Sequence, residues 1–206
     1  METINPNLKI EALRFGYGEA KLGLVLVALS NCGVAAIFLG DDRQKLRRDL
    51  SDSFPDTKLV EDNGNLAAAI AKVVTLINEP RGGFDLPLDL RGSELERAVW
   101  AALRAIPPGE TRTYGALAKT LPVPATAQEV GAVCAANRLA VAIPCHRVVK
   151  ADGSISGYRW GVHRKRRLIN MEHVAAVSSV ILPPRGASGE FHSTPAPETP
   201  ATKPAR

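Results

Sequence analysis

Apolar runs separated by turn residues dominate the first 40 residues of the chain. Residues 22–30 (LGLVLVALS) and 33–42 (GVAAIFLGDD) are short, rich in apolar and β-branched side chains, and joined at Asn31-Cys32. Two such runs with a tight connection predict a β-hairpin. The preceding segment KIEALRFGYGE, residues 9–19, predicts a third strand.

Two helical patterns follow the strands. Leu46 and Leu50 recur at helical spacing among the charged residues between Asp41 and Ser53, which predicts a surface helix. Residues 66–77 (LAAAIAKVVTLI) are apolar enough for a more buried helix. Helix-breaking residues then form a linker that ends the first unit near residue 85, namely Pro80, Gly82, Gly83 and Pro87.

The second half of the chain carries signals for short helices. The sequence SELE at 93–96 is a capping box and predicts a helix over 93–106, which the PPG sequence at 107–109 ends. A short helix is predicted through 114–118, and a second capping box, TAQE at 126–129, starts another. Two short helices joined by a tight turn predict a helix-turn-helix, although such pairs also occur as plain core packing.

These patterns together predict an α/β fold. The N-terminal domain, residues 1–85, is expected to combine a small antiparallel sheet with helices, and the C-terminal domain, residues 86–178, to be mainly helical. Residues 179–206 are rich in Pro, Ala, Ser and Thr and offer little apolar surface to bury. A disordered tail is therefore predicted there.

Basic residues are concentrated late in the chain, whose formal net charge is +5. This distribution indicates a polyanionic partner, with a solvated helix face as the alternative explanation. The basic cluster consists of Arg159, Arg164, Lys165, Arg166 and Arg167.

The three cysteines, Cys32, Cys134 and Cys145, are too few and too scattered for a disulfide framework, and none belongs to a zinc-type CxxC pair. We therefore expect a reducing compartment and no metal or other cofactor. The sequence has neither a secretory signal pattern nor an apolar stretch long enough to span a bilayer. These features predict a soluble cytoplasmic protein that does not act at a membrane.

The segment IPCHRVV, residues 143–149, places a possible nucleophile beside a possible base. An imidazole can take the proton of a thiol directly or through a water, and the thiolate is the reactive form. Neighbouring side chains of an extended strand point to opposite faces, so Cys145 and His146 can cooperate only if Pro144 helps to form a turn. The alternative is a buried, inert cysteine beside a surface histidine.

The same segment carries a family resemblance. PCHRVV at 144–149 and DGSISGYRWG at 152–161 resemble the signature of the O6-alkylguanine-DNA alkyltransferases, as do WAAL at 100–103, IPPGET at 106–111 and CAAN at 134–137. The match covers residues 90–173 and is nearest in character to the alkyltransferase half of the bacterial adaptive-response regulatory protein, without its zinc domain. By resemblance, the first 85 residues form the family's ribonuclease-H-like N-terminal domain.

The resemblance implies a catalytic group of three residues. Cys145 attacks the alkyl carbon, His146 activates the thiol through a water, and Glu172 orients and polarises His146. Without the motif, Glu172 would be interpreted as a surface carboxylate.

The resemblance also implies the residues that bind DNA and the damaged base. Tyr114 helps to rotate the nucleotide and donates a hydrogen bond or a proton to it, and Asn137 links the recognition helix to the cysteine loop. Tyr158, with the backbone of Val148 and Arg159, forms the base pocket. Tyr114 and Tyr158 could also be ordinary half-buried aromatics, and Asn137 a helix C-terminal residue.

The chain departs from the family pattern at Gln128, where the family usually has an arginine that enters the base stack. Gln128 can fill space and form hydrogen bonds, but it lacks the charge and the stacking plane of a guanidinium, and Glu129 adds a negative charge nearby. We therefore expect weaker extrusion of the damaged base or a narrower substrate range.

The function that the resemblance implies is DNA repair by irreversible, single-turnover transfer of an alkyl group from O6-alkylguanine, and from O4-alkylthymine, to Cys145. The expected partner is double-stranded DNA with an alkylated guanine, bound by a monomer. Two alternatives remain at this point: a DNA-binding protein that recognises damage or regulates transcription without catalysis, and a cysteine hydrolase that uses the Cys145–His146 pair.

Overall fold

The structure, a computed structural model, describes residues 12–155 and 157–181, with side chains as far as His173. Its first element is a four-stranded sheet of order β3-β2-β1-β4, formed by β1 (Ala12–Ala20), β2 (Gly23–Ser30), β3 (Gly33–Gly40) and β4 (Lys58–Glu61). The predicted hairpin and third strand are present as β1–β2–β3, with antiparallel pairing throughout. The predicted disordered tail, residues 179–206, lies outside the described residues except for 179–181, which are helical and not disordered as predicted.

Two helices cover the sheet. Helix α1 (Arg43–Ser53) begins at the N-cap Asp42, and α2 (Asn63–Asn78) begins at Asp62, whose carboxylate accepts from the amide of Asn65. The helix α2 packs closely on β1 because Gly16 and Gly18 lie beneath it. A Cβ atom on either glycine would lie within 2.9 Å of a methyl group of Ile70, so only glycine permits this approach.

The second half of the chain is mainly helical. It contains α3 (Glu94–Arg104), β5 (Arg112–Thr113), α4 (Tyr114–Ala118), α5 (Ala127–Ala136), β6 (Val148–Val149) and α6 (Val162–Ile181). Both predicted capping boxes form at the starts of α3 and α5. The two-residue strands β5 and β6 pair in parallel and connect the start of α4 to the segment after Cys145.

Backbone from the second half completes the outer edge of the sheet. Val34 on β3 accepts from Asp89 N at 2.9 Å and donates to Pro87 O at 2.8 Å. Ile37 donates to Arg138 O at 2.8 Å and accepts from Ala140 N at 3.0 Å. The backbone N–H and C=O groups of Val34 and Ile37 on the outer edge of β3 are thus hydrogen-bonded. The apolar core runs from the sheet into the helical half as one cluster.

The five residues of the basic cluster do not all lie on the surface of the protein. Arg164 and Lys165 are buried, because Arg164 donates to Leu22 O at 2.8 Å and Trp160 O at 3.0 Å, and Lys165 donates to Val148 O at 2.6 Å. The other three basic residues, Arg159, Arg166 and Arg167, are exposed. Within the part of the chain that the structure describes, no helix has the length and apolarity needed to cross a membrane.

Candidate active site

The segment that carries Cys145 is a turn and not an extended strand. Residues Cys145–Arg147 form one turn of 3-10 helix after Pro144, and Cys145 N donates to Ile143 O at 2.8 Å. The turn therefore meets the condition that the sequence set for cooperation between Cys145 and His146. Both side chains are buried, Cys145 with 3% and His146 with 0% of its surface exposed.

A buried hydrogen-bond network lies behind the cysteine. Nε2 of His146 lies 2.8 Å from Oε1 of Glu172, a residue on α6 that is 1% exposed. Arg147 donates from Nη2 and Nε to the same carboxylate at 2.9 to 3.2 Å, and Gly109 N donates to Oε2 at 3.0 Å. Glu172 therefore accepts from three partners on two segments of the chain.

The charge states in this network follow from its hydrogen bonds and its burial. Burial alone would raise the pKa of Glu172, but the hydrogen bonds from His146 and Arg147 outweigh it and lower the pKa to about 2. Because an ionised carboxylate only accepts, Nε2 of His146 carries a proton and Nδ1 carries the lone pair. Burial lowers the pKa of His146 below its ordinary value against the opposing effect of Glu172, so the ring is neutral at neutral pH.

The Nδ1 atom of His146 is buried and has no hydrogen-bond partner within the described part of the chain. A buried polar atom without a partner is rare and commonly marks a functional group or a water site. Here it belongs to the residue that directly follows the cysteine, so the geometry leaves one basic nitrogen available on the side of the ring away from Glu172.

Asn137 connects the end of α5 to the cysteine turn. Its side-chain amide donates to Ile143 O at 2.9 Å and lies 3.2 Å from Sγ of Cys145, while its carbonyl oxygen accepts from Leu139 N at 2.9 Å. These contacts fix the position of the sulfur relative to α5. An N–H donor to sulfur also stabilises the thiolate more than the thiol.

The resting thiol is neutral. Burial raises the pKa of Cys145 from 9.0 to about 11, although Asn137 and the ammonium of Lys165 both oppose the rise. Lys165 is fully buried, donates to Val148 O at 2.6 Å, and lies with its Nζ 6.0 Å from the ring centroid of Tyr114. The site thus combines a protonated thiol with a nearby neutral base and a nearby cation.

A cavity of about 390 Å³ opens in front of Cys145. Tyr158 contributes a hydroxyl that is buried and has no hydrogen-bond partner in the described residues, and its ring packs edge-on against Trp160 with centroids 5.1 Å apart. The cavity is large enough for a planar heterocycle. Its lining consists of Tyr114, Gly131, Cys134, Ala135, Cys145, Gly157, Tyr158 and Arg159.

The structure brings most of the predicted site residues together. Cys145, His146, Glu172 and Asn137 form one connected group, and the cavity adds three of the predicted binding residues, Tyr114, Tyr158 and Arg159. The carbonyl of Val148 accepts from Lys165. Gln128 is exposed on the first turn of α5 and does not line the cavity.

Sequence reasoning missed two residues of the site. Arg147 was part of the quoted motif but received no role, although a charged residue inside an apolar segment was a signal for a buried ion pair. The sequence places Lys165 in the basic cluster, and no local signal distinguishes it from its neighbours Arg166 and Arg167. No group of three or more His, Cys, Asp or Glu side chains within the described ranges could hold a metal ion.

Comparison with known proteins connects this geometry to a family. The family model described as "6-O-methylguanine DNA methyltransferase, DNA binding domain" matches residues 94–174. The chain is 42% identical over 161 residues to the bifunctional transcriptional activator/DNA repair enzyme Ada of Escherichia coli, which covers 78% of this chain and 46% of Ada. The chain therefore spans about half the length of that relative.

Two further relatives are matched over most of their own length. The inducible methylated-DNA–protein-cysteine methyltransferase of Bacillus subtilis is 33% identical over 181 residues, which are 85% of this chain and 96% of that protein. The crystal structure of Mycobacterium tuberculosis OGT in complex with DNA superposes with a TM-score of 0.66 at 29% identity, covering 78% of this chain and 93% of that one. The chain belongs to the methylated-DNA–protein-cysteine methyltransferase family.

Proposed function

We propose that this protein repairs DNA by transferring the alkyl group of O6-alkylguanine to Sγ of Cys145, once per molecule. The observation that carries the proposal is the buried thiol between an open cavity and a His146–Glu172 pair with a free basic nitrogen. A cysteine hydrolase could use the same pair, but the family of the chain favours alkyl transfer from DNA.

Activation of the thiol begins with proton removal. His146 is neutral and has Nδ1 available, so it accepts the thiol proton through a bridging water while Glu172 stabilises the imidazolium that forms. The amide of Asn137 and the charge of Lys165 stabilise the sulfur anion. A thiol with a pKa of about 11 is a poor nucleophile by itself, so transfer depends on this assistance.

The transfer step forms a carbon–sulfur bond and breaks the bond between the alkyl carbon and O6 of the base. The electron pair of the broken bond leaves with guanine, which becomes an anion unless it gains a proton. Tyr114 and Tyr158, both lining the cavity, are the candidate hydrogen-bond donors to the departing base. The thioether product has no easy route back to a thiol, so the protein acts as a single-turnover methyltransferase.

The proposed DNA contact is made by a helix-turn-helix of α4 and α5, within a catalytic domain of residues 86–178 that follows an N-terminal domain of residues 1–85. Helix α5 exposes a face of small residues, which permits close approach to a minor groove. The exposed alanines of this face are Ala127, Ala132, Ala135 and Ala136. The target nucleotide must leave the base stack to reach Cys145, which is buried at the base of the cavity.

We expect the protein to act as a monomer on duplex DNA. The cysteines that the structure describes are all unpaired, in agreement with action in a reducing cytoplasm. The proposed reaction uses only side chains of the protein and the alkylated base, so no cofactor takes part in it.

Transfer should depend on pH through His146. Because burial lowers the pKa of His146 below its ordinary 6.5, the transfer rate from duplex DNA is expected to fall on acidification with a midpoint below pH 6.5. Single-turnover rates measured at saturating protein from neutral to acidic pH test the expectation. A decline centred above pH 6.5 would contradict the assignment of His146 as the base.

Introducing an arginine in place of Gln128 should accelerate repair. The Gln128→Arg variant gains a stacking plane and a charge at the exposed start of α5, so duplex transfer is expected to rise about tenfold. Gln128→Lys, which adds the charge without the plane, is the matched control and should gain less. Equal rates in all three proteins would mean that Gln128 plays no part in base extrusion.

The proposed function is tested by intact-protein mass spectrometry. The protein is incubated with a duplex containing one O6-methylguanine, or with the same duplex unmethylated. We expect one methyl group per molecule, mapped to Cys145, only with the methylated duplex. Tight binding without any gain in mass would instead support a non-catalytic protein that recognises damage.

A further inference from the structure

Two arginines from separate loops meet at the end of α1. Nη2 of Arg159 lies 2.9 Å from the hydroxyl of Ser53, the last residue of α1. The guanidinium carbon of Arg138 lies 4.8 Å from the ring centroid of Phe54, the next residue. Because Ser53 and Phe54 are consecutive, the two guanidinium groups are held close to each other.

Neither arginine has an acidic partner. Among the residues that the structure describes, no carboxylate lies within ion-pair distance of Arg138 or Arg159, and Asp49, the acid whose charge reaches Arg159, pairs with Lys45 at 2.8 Å. Burial and, next, the charge of Arg138 lower the pKa of Arg159. The fold therefore brings together two cations whose mutual repulsion no ion pair within the described residues offsets.

Contacts with aromatic rings hold both side chains in place. The Arg159 guanidinium carbon also lies 5.1 Å from the ring centroid of Phe38, in addition to its bond with Ser53. Such contacts orient a guanidinium without neutralising it, so its hydrogen-bond donors remain available for an anion. By contrast, the buried Arg147 and Arg164 are both ion-paired.

The arginine pair adjoins the candidate active site. Arg159 lines the cavity in front of Cys145, and Arg138 directly follows Asn137, which contacts Sγ. A nucleotide whose base enters this cavity stays bonded to its own phosphates, so at least one phosphate must lie near the cavity mouth. A backbone phosphate is the anion that the proposed substrate brings to this place.

We propose that Arg138 and Arg159 bind one backbone phosphate beside the flipped nucleotide and hold that nucleotide at the mouth of the cavity. This inference rests on the proposed function. Gln128 is uncharged and cannot bring a positive charge into the base stack. The arginine pair supplies positive charge at the phosphate backbone instead. Phosphate binding also removes the repulsion between the two guanidinium groups, because their planar donors can share its oxygens.

The test compares Arg138→Gln and Arg159→Gln with the control Arg48→Gln, which removes an exposed arginine from α1. Dissociation constants for a duplex containing O6-methylguanine are measured over a range of salt concentrations. Each pair variant is expected to bind about tenfold more weakly and to lower the salt slope by about one, whereas the control keeps the slope. Melting temperatures verify that all three variants are folded.

Transfer from free O6-benzylguanine, which has no phosphate, gives the second measurement. For Arg138→Gln the ratio of the duplex rate to the free-base rate should fall about tenfold relative to the wild type. An unchanged salt slope and an unchanged ratio, with a lower melting temperature, would overturn the proposal and leave the pair a structural role at the end of α1. A wild-type protein that reacts with neither substrate would refute the proposed function, while the binding data would still test the arginine pair.

Discussion

The Cys145→Ser variant is expected to take up no alkyl group from a methylated duplex. The buried site already raises the pKa of the thiol to about 11, and a serine hydroxyl in the same place is a far weaker acid. A neutral His146 cannot generate the alkoxide, so the nucleophile is lost. Intact-protein mass spectrometry after prolonged incubation measures this directly.

The same variant should still bind DNA. Asn137 keeps its bonds to Ile143 O and Leu139 N, so the end of α5 stays in place without the sulfur contact. Cys134→Ala is the matched control: that thiol lines the same cavity, but burial raises its pKa to about 12, and transfer should persist at a similar rate. Methylation of the Cys145→Ser protein at Cys134 would show that the acceptor is not unique.

Replacing Glu172 by Gln is expected to cost about 3 to 5 kcal/mol of folding free energy, because Arg147 would remain buried without a counter-ion. The transfer rate should fall by roughly two to four orders of magnitude, because the imidazolium of His146 loses its stabilising carboxylate. Urea denaturation and single-turnover kinetics measure the two effects separately.

The loss of folding stability at acid pH provides a second test of the role of Glu172. Its pKa is lowered from 4.5 to about 2, so the stabilisation is complete above pH 4.5 and is lost as the pH falls toward 2. That loss, about 3 kcal/mol in the wild type, should be absent from Glu172→Gln.

The double variant Glu172→Gln/Arg147→Met removes both charges and should recover part of the stability that Glu172→Gln loses. No recovery would mean that the broken ion pair is not the cause of that loss.

Local patterns predicted the elements whose signals are local. The hairpin β2–β3 and the capped starts of α3 and α5 follow from turn and capping residues within a few positions. The sequence does not predict strand β4, because its four residues have no clear alternation and the residues that it pairs with on β1 lie 46 positions earlier in the chain. It pairs in parallel with β1, and parallel strands are not joined by a tight turn that the sequence could reveal.

The residues of the candidate site also divide into those that the local sequence predicts and those that it does not. Cys145 and His146 are adjacent, so the sequence alone suggests their chemistry, but Glu172 is 26 residues from His146 and entered only through the family resemblance. The buried state of Lys165 depends on the carbonyl of Val148, a partner that the charge run around it does not reveal. Contacts made in the folded protein, rather than the local charge pattern, therefore decide which basic side chains are buried and which are exposed.

The completed edge of β3 has a consequence for synthesis. Strand β3 leaves the ribosome long before the residues that satisfy it, since Val34 needs Pro87 and Asp89, and Ile37 needs Arg138 and Ala140. Until then its open N–H and C=O groups can pair with another nascent chain. The nascent chain therefore stays soluble only if synthesis soon reaches the segment just before Cys145. Chains truncated before residue 138 are expected to aggregate.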